Sequence, residues 1–193
     1  MAPPSLSIEN RRISNRSITG QNIPNLNAEE CTFTNCSFTG LGLTGIRLTN
    51  CTFVHCDLSL SVIRNGSLQQ VSFIDCKLVG IQCHGCTGMM LDLSFENCLM
   101  KLALLSKAML KKSRFVNCNL QETDFTEANL SGAIFERCDL GGALFHHTNL
   151  EGANLVDARD FAIDPAANRL RKARFALHGL PGLLQQSGII IET

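Results

Sequence analysis

Cys83-His84-Gly85-Cys86 is the stretch whose residue types best suit chemistry. Two thiols three positions apart with an imidazole between them serve a thiol redox centre, or supply half of a zinc site. His146-His147 adds an imidazole pair, and eight further cysteines bring the total to ten. No GxxxxGK[ST], GxSxG or HExxH string accompanies them. A thiol centre also needs a lowered thiol pKa, and a zinc site needs two more ligands placed by the fold, so the elements that carry these residues decide what they do.

Those elements have a period of five. Phe33, Phe38, Leu43, Leu48, Phe53, Leu58, Ile63, Leu68, Phe73 and Leu78 place a large apolar residue at every fifth position, with a usually smaller one two places earlier. Ala128-Asn129-Leu130-Ser131-Gly132 and Thr148-Asn149-Leu150-Glu151-Gly152 repeat the pattern in the C-terminal half. Five is neither the helical period of 3.6 nor the strand period of 2. A helix would sweep these residues around its whole surface, whereas a chain that turns a corner every five residues keeps them all inside. Four corners close a coil of twenty residues. Phe33, Phe53 and Phe73 show that second period, and Phe95, Phe115, Phe135, Leu155 and Phe175 continue it after a shift. Gly40, Gly80, Gly132, Gly142 and Gly152 fall where the corners need them.

In this frame the cysteines read as packing. Cys36, Cys56, Cys76, Cys98, Cys118 and Cys138 fill the small inward position of one face in successive coils, and Cys31 and Cys51 begin the neighbouring column. Stacked thiols pointing in parallel into a filled interior act as small hydrophobes and do not pair as disulfides without distortion. Cys83 and Cys86 occupy a large and the next small inward slot, which yields CxxC by itself. Cys83 to Phe95 spans twelve residues, two repeats plus two, so a two-residue insertion falls near Gly85, Cys86, Thr87, Gly88, Met89 and Met90. A protruding loop or bulge is expected there. His146-His147 and His84 are expected on the outside of one face, too scattered for a metal site. No metal, cofactor or catalytic group is expected, since a filled coil has no deep pocket.

Formal net charge is zero, with 17 basic and 17 acidic residues, which removes any general case for nucleic-acid binding. Residues 93–112 carry +3, and residues 113–132 and 133–152 carry −2 each. Glu122, Asp124, Glu127, Glu136 and Asp139 form this acidic belt, a candidate contact surface for a basic partner. Leu60, Val62, Val79, Leu99, Leu102 and Leu104 fall at outward positions on the second and third faces, counting the Phe33 face as the first, and make an apolar candidate surface. No apolar run reaches the ~18 residues that span a bilayer. The N-terminus lacks a secretory pattern, and ten cysteines without one fit a reducing cytoplasm.

The A(D/N)LXX-like pattern from about Ile8 to Ala158 resembles the pentapeptide-repeat proteins. The resemblance implies an all-β fold, a right-handed quadrilateral parallel β-helix of about eight coils, ~40 Å long at strand spacing. Residues 1–158 are expected to form this solenoid. Residues 159–193 are expected to form a loop opened by Asp164-Pro165 as a helix start, a last repeat near 173–177, a short helix from Pro181 to Gln186 stopped by Gly188, and an apolar strand-like tail. Leu183, Leu184, Ile189, Ile190 and Ile191 are the candidate contacts of a homodimer through this end.

Two segments narrow the resemblance. IDPAANRLRKARFALHGLPGLLQQSGIIIE is similar to the ending of topoisomerase-protecting members of the albicidin-resistance, microcin-B17-immunity and quinolone-resistance types, and CDLSLSVIRNGSLQQVSFIDCKLVGI is similar to the albicidin-resistance type. The resemblance implies a non-enzymatic, dimeric protein that engages DNA gyrase or another type II topoisomerase, relieves a poison or toxin, and partly mimics DNA without binding nucleic acid itself. A neutral chain departs from a strict mimic of a polyanion. An adaptor module that binds a different protein through its apolar faces is the alternative.

Overall fold

Repeats of five residues can bury one face only by stacking turn upon turn, and the chain does so as a four-sided parallel β-solenoid. The structure is a computed structural model that describes residues 6–18, 25–85 and 89–189, without the side chains of 89–91. Each side consists of three-residue strands or single bridges, and each turn pairs in parallel with the next.

The first face is a seven-stranded sheet of Arg12–Ser14, Thr32–Thr34, Thr52–Val54, Ser72–Ile74, Ser94–Glu96, Arg114–Val116 and Ile134–Glu136. The second is a ladder of isolated bridges from Ser17 through Ser37, Asp57, Lys77, Leu99, Asn119 and Asp139 to Arg159. The third has three strands, Gly42–Thr44, Val62–Arg64 and Gln82–His84, continued by bridges at Leu104, Asp124 and Leu144. The fourth has five strands, Ser7–Glu9, Asn27–Glu29, Arg47–Thr49, Ser67–Gln69 and Met89–Leu91. The strand-built part of the rod therefore makes six turns, where about eight were expected. Beyond Glu136 the first face continues only as single bridges at Asn154 and Arg174.

The corner is a backbone feature. From Asn10 to Gly85 every fifth described residue has a left-handed φ, among them Asn35 at 53°, Asn50 at 52° and Asp75 at 53°. The series resumes at Asp92 and runs in fives to Gly152. Asn and Asp tolerate this region and Gly is free in it, which is why they gather there. Seven residues separate Gly85 from Asp92 instead of five. Pairing gives the same result, since Cys83 stands opposite Ile63 and Met90 opposite Leu68. The two extra residues thus lie between His84 and Met89. Cys86, Thr87 and Gly88, the middle of the expected loop, lie outside the described residues.

Inside, like residues stack on like. Phe33, Phe53, Phe73, Phe95, Phe115 and Phe135 form a column with centroids 4.7–5.1 Å apart and planes within 15° of parallel. Phe125 and Phe145 begin a second column on the third face, 5.3 Å apart. Each buried ring removes 150–250 Å² from water and gains a further ~1 kcal/mol from ring contact.

The C-terminal end is closed by residues off the period. Phe161 is buried and meets Phe175 at 5.5 Å. A short helix, Pro181–Leu184, continues as a 3-10 turn, Gln185–Ser187, and stops at Gly188 with φ 69°. Gly182 permits this closure: a Cβ there would lie 2.2 Å from the Phe161 carbonyl oxygen. Asp164-Pro165 does not start a helix. The Asp164 carboxylate accepts the Ala166 N–H at 2.8 Å in a turn, and Asn168 ties that turn to the Phe145 and Asp164 carbonyls. Ile190 and Ile191 of the expected tail lie outside the described residues.

Candidate partner surface

The interior holds the groups that first suggested chemistry. Cys83 faces the core at 5 % exposure, and the neighbouring His84 points outward with Nε2 3.1 Å from the Gln82 side-chain oxygen. Among the described residues every cysteine is buried and none forms a disulfide. In the second-face column each Sγ donates to two carbonyl oxygens, one two residues back and one in the preceding turn. Cys56 reaches Val54 and Phe33, both at 3.4 Å, and accepts the Cys36 N–H at 3.4 Å. Cys118 repeats the pattern on Val116 and Phe95.

This geometry holds the column protonated. Hydrogen bonds from neighbouring thiols, followed by burial, push Cys56, Cys98 and Cys138 well above the ordinary thiol value. Burial raises Cys51. Thiol–thiol contact alone would draw the alternate members Cys76 and Cys118 down to about 4. Their Sγ atoms also face two carbonyl oxygens, however, and a thiolate there would be repelled by both. The column is a stack of neutral donors, the opposite of an activated thiol.

His146 and His147 are exposed and adjacent, with ring centroids 4.1 Å apart. His84 lies on the same face but is separated from them by the turns of Ser106 and Thr126. Among the described residues no group of three or more His, Cys, Asp or Glu side chains is placed to hold a metal ion. No helix is long and apolar enough to cross a membrane.

The acidic belt does not form one surface. Glu122 and Asp124 sit beside Leu102 and Leu104 at the corner between the second and third faces, and Glu127 lies one corner further on. Glu136 lies round the rod on the seven-stranded face, opposite Val116. Asp139 lies in the second-face ladder between Asn119 and Arg159.

Most of these carboxylates are also partnered. Glu122 pairs with Lys101 at 2.9 Å and Glu127 with Lys107 at 3.6 Å, both from the basic turn below. Glu136 pairs with Arg137 at 2.6 Å and Arg114 at 3.8 Å. Asp139 accepts from Gly141 N–H and Gln121 at 3.0 Å and from Arg159 at 3.1 Å. Burial alone would raise the Asp139 pKa, but these three donors together hold it below the ordinary carboxylate value. Asp124, whose carboxylate accepts the Thr126 N–H at 2.8 Å, is the belt member with no ion pair among the described residues.

The apolar candidates stand outward. Leu60, Leu99, Leu102 and Leu104 are exposed, and Val62 and Val79 are half-buried. Leu144, which extends this surface, had no signal apart from its outward phase. At the C-terminal end Leu177, Leu180, Leu184 and Ile189 are exposed, while Leu183 is half-buried against the core. An open groove of about 620 Å³ runs beside them, lined by Phe161, His178, Pro181, Gly182, Gln185 and Ile189 among others.

The family model for the pentapeptide repeat region matches residues 26–89 and 88–159. No curated protein matches the chain. Among solved structures, the pentapeptide repeat protein HetL, involved in heterocyst differentiation regulation in the cyanobacterium Nostoc, is similar over 90 % of this chain and 88 % of its own, at 18 % identity and a TM-score of 0.55. Full-length QnrB1, a plasmid-mediated fluoroquinolone resistance protein, is similar over 93 % of this chain and 100 % of its own, at 22 % identity and a TM-score of 0.49.

Proposed function

The chain belongs to the pentapeptide repeat family, and from that premise we propose that it is a non-enzymatic binding protein that protects DNA gyrase, or another type II topoisomerase, from a poison or toxin. The observation that carries this reading is the C-terminal run from Ile163 to Glu192, which is similar to the ending of topoisomerase-protecting members. In the described part of that run, Gly182 seats the short helix on Phe161 and leaves Leu177, Leu180, Leu184 and Ile189 exposed at the end of the rod. Exposed apolar side chains on a terminal cap favour a homodimer joined there.

Mimicry of DNA is partial at most in this reading. The carboxylates Glu122, Glu127, Glu136 and Asp139 share their charge with basic neighbours, so a partner meets alternating signs and not a polyanion. The buried, protonated thiols and the packed interior fit a binding role better than a catalytic one.

The test is a supercoiling assay with purified gyrase, a poison and increasing amounts of the protein. Supercoiling is expected to recover as the protein is added. Unchanged poison sensitivity at saturating protein would overturn the proposal.

A further inference from the structure

Six large apolar side chains stand exposed on the rod between Asn25 and Ala158, and five of them lie on one side. Leu60, Leu99, Leu102, Leu104 and Leu144 occupy the second and third faces and the corner between them, while Met109 is on the fourth face. Leu60 and Leu102 take the same corner two turns apart, with left-handed φ values of 58° and 61°. Gly40, Gly80 and Gly142 fill that corner in other turns. A leucine is strained there where glycine is not. Neither leucine recovers that cost inside the chain, since they are 61 % and 46 % exposed. Strain of this kind persists where it serves a contact.

The order of residues along this side identifies the contact. Leu60 and Val62 are followed one turn on by Lys77 and Gly80, then by Leu99, Leu102 and Leu104. Glu122 and Asp124 come next, then Gly142 and Leu144. Apolar character is thus symmetric about the Leu102 turn, and charge is antisymmetric about it. Lys101 is already paired with Glu122, whereas Lys77 makes no ion pair among the described residues.

We infer that a second copy of this chain docks on this side, antiparallel, with a two-fold axis at the Leu102 turn. Inverting the rod about that turn brings each column against itself. Leu102 meets Leu102. Leu144 meets Val62 of the second copy, since both belong to the Val62, Gln82, Leu104, Asp124, Leu144 column. Leu60 meets the side-chain-free corner at Gly142, and the Lys77 turn meets the turn of Glu122 and Asp124. A parallel pairing would set Lys77 against Lys77 and Glu122 against Glu122, which like-charge repulsion disfavours. An isologous interface must be complementary to itself, and only the antiparallel arrangement makes this side so. The contact is lateral and separate from the C-terminal end.

Sedimentation equilibrium of the full chain and cysteine cross-linking test it together. Leu102→Asp is expected to halve the associated mass while the circular dichroism spectrum stays unchanged. Leu102→Gly relieves the strained corner, so it should leave Tm the same or higher while weakening association at least tenfold. A Val62→Cys copy mixed with a Leu144→Cys copy should form a mixed disulfide under mild oxidation, in excess of either self-pair. A mass unaffected by Leu102→Asp overturns the inference, as does the absence of the mixed cross-link.

Discussion

The ammonium group of Lys101 lies 2.9 Å from the carboxylate of Glu122 in the next turn of the solenoid. Both groups are about half exposed, so the pair contributes at most ~1 kcal/mol to stability. Its larger effect is on the surface, where it cancels the charge that the proposed topoisomerase contact would use. Lys101→Ala should move Tm by only a few degrees and leave Glu122 unneutralised. If protection runs through this corner, the variant relieves the poison at a lower protein concentration than the parent. An unchanged dose–response curve would remove Glu122 from the contact.

Phe115 is fully buried between Phe95 and Phe135, with its ring 5.0 Å from each. Phe115→Ala opens a cavity in mid-column and should cost ~3–5 kcal/mol. Each turn contacts only its neighbours, so the loss also weakens coupling between the two halves of the rod. Urea unfolding followed by circular dichroism should show a lower midpoint and a broader transition.

Ser113 has a buried hydroxyl with no hydrogen-bond partner. The other polar residues in equivalent inward slots are satisfied, Ser61 on the Leu58 carbonyl at 2.7 Å and Thr123 on the Met100 carbonyl at 3.0 Å. Ala133 and Ala153 follow Ser113 in its own column. Ser113→Ala removes an unpaired polar group at little cost in volume, and should stabilise the fold by about 1 kcal/mol. Denaturant midpoints of the two proteins decide the matter.

The nine described cysteines are all buried, and Cys86 is the tenth. Ellman's reagent should therefore titrate at most one thiol in the native protein and all ten in denaturant. A second fast-reacting native thiol would show that the column opens, contrary to its hydrogen bonding.

Asp139 titrates below the ordinary carboxylate value in the fold, because Gly141, Gln121 and Arg159 donate to it. A carboxylate depressed on folding adds stability that is present above its unfolded pKa, about 3.9, and is lost as pH falls through the lower folded value. The Tm difference between the parent and Asp139→Asn should therefore be constant near neutrality and shrink on acidification below about pH 4. A difference that grows on acidification would contradict the assignment.

The sequence by itself determined everything that depends on facing inward. A five-residue period leaves one arrangement that buries Phe33, Phe53 and Phe73 together, and burial of an apolar side chain is a property of that residue alone. The cysteine column and the two-residue shift between His84 and Met89 follow from the same counting. Outward relationships were not legible in this way, because an ion pair depends on two side chains and on the register that stacks them. Lys101 and Glu122 are 21 positions apart and belong to segments with opposite net charge. Only stacking showed that the basic turn neutralises part of the acidic belt, and that Glu136 faces another side. The C-terminal cap was hidden for a related reason. Asp164-Pro165 has the local signature of a helix start, but Asn168 is drawn to the Phe145 carbonyl and Gly182 closes over Phe161. Tertiary contacts there override local preference, and the end of the rod is shaped by what the last turn leaves uncovered.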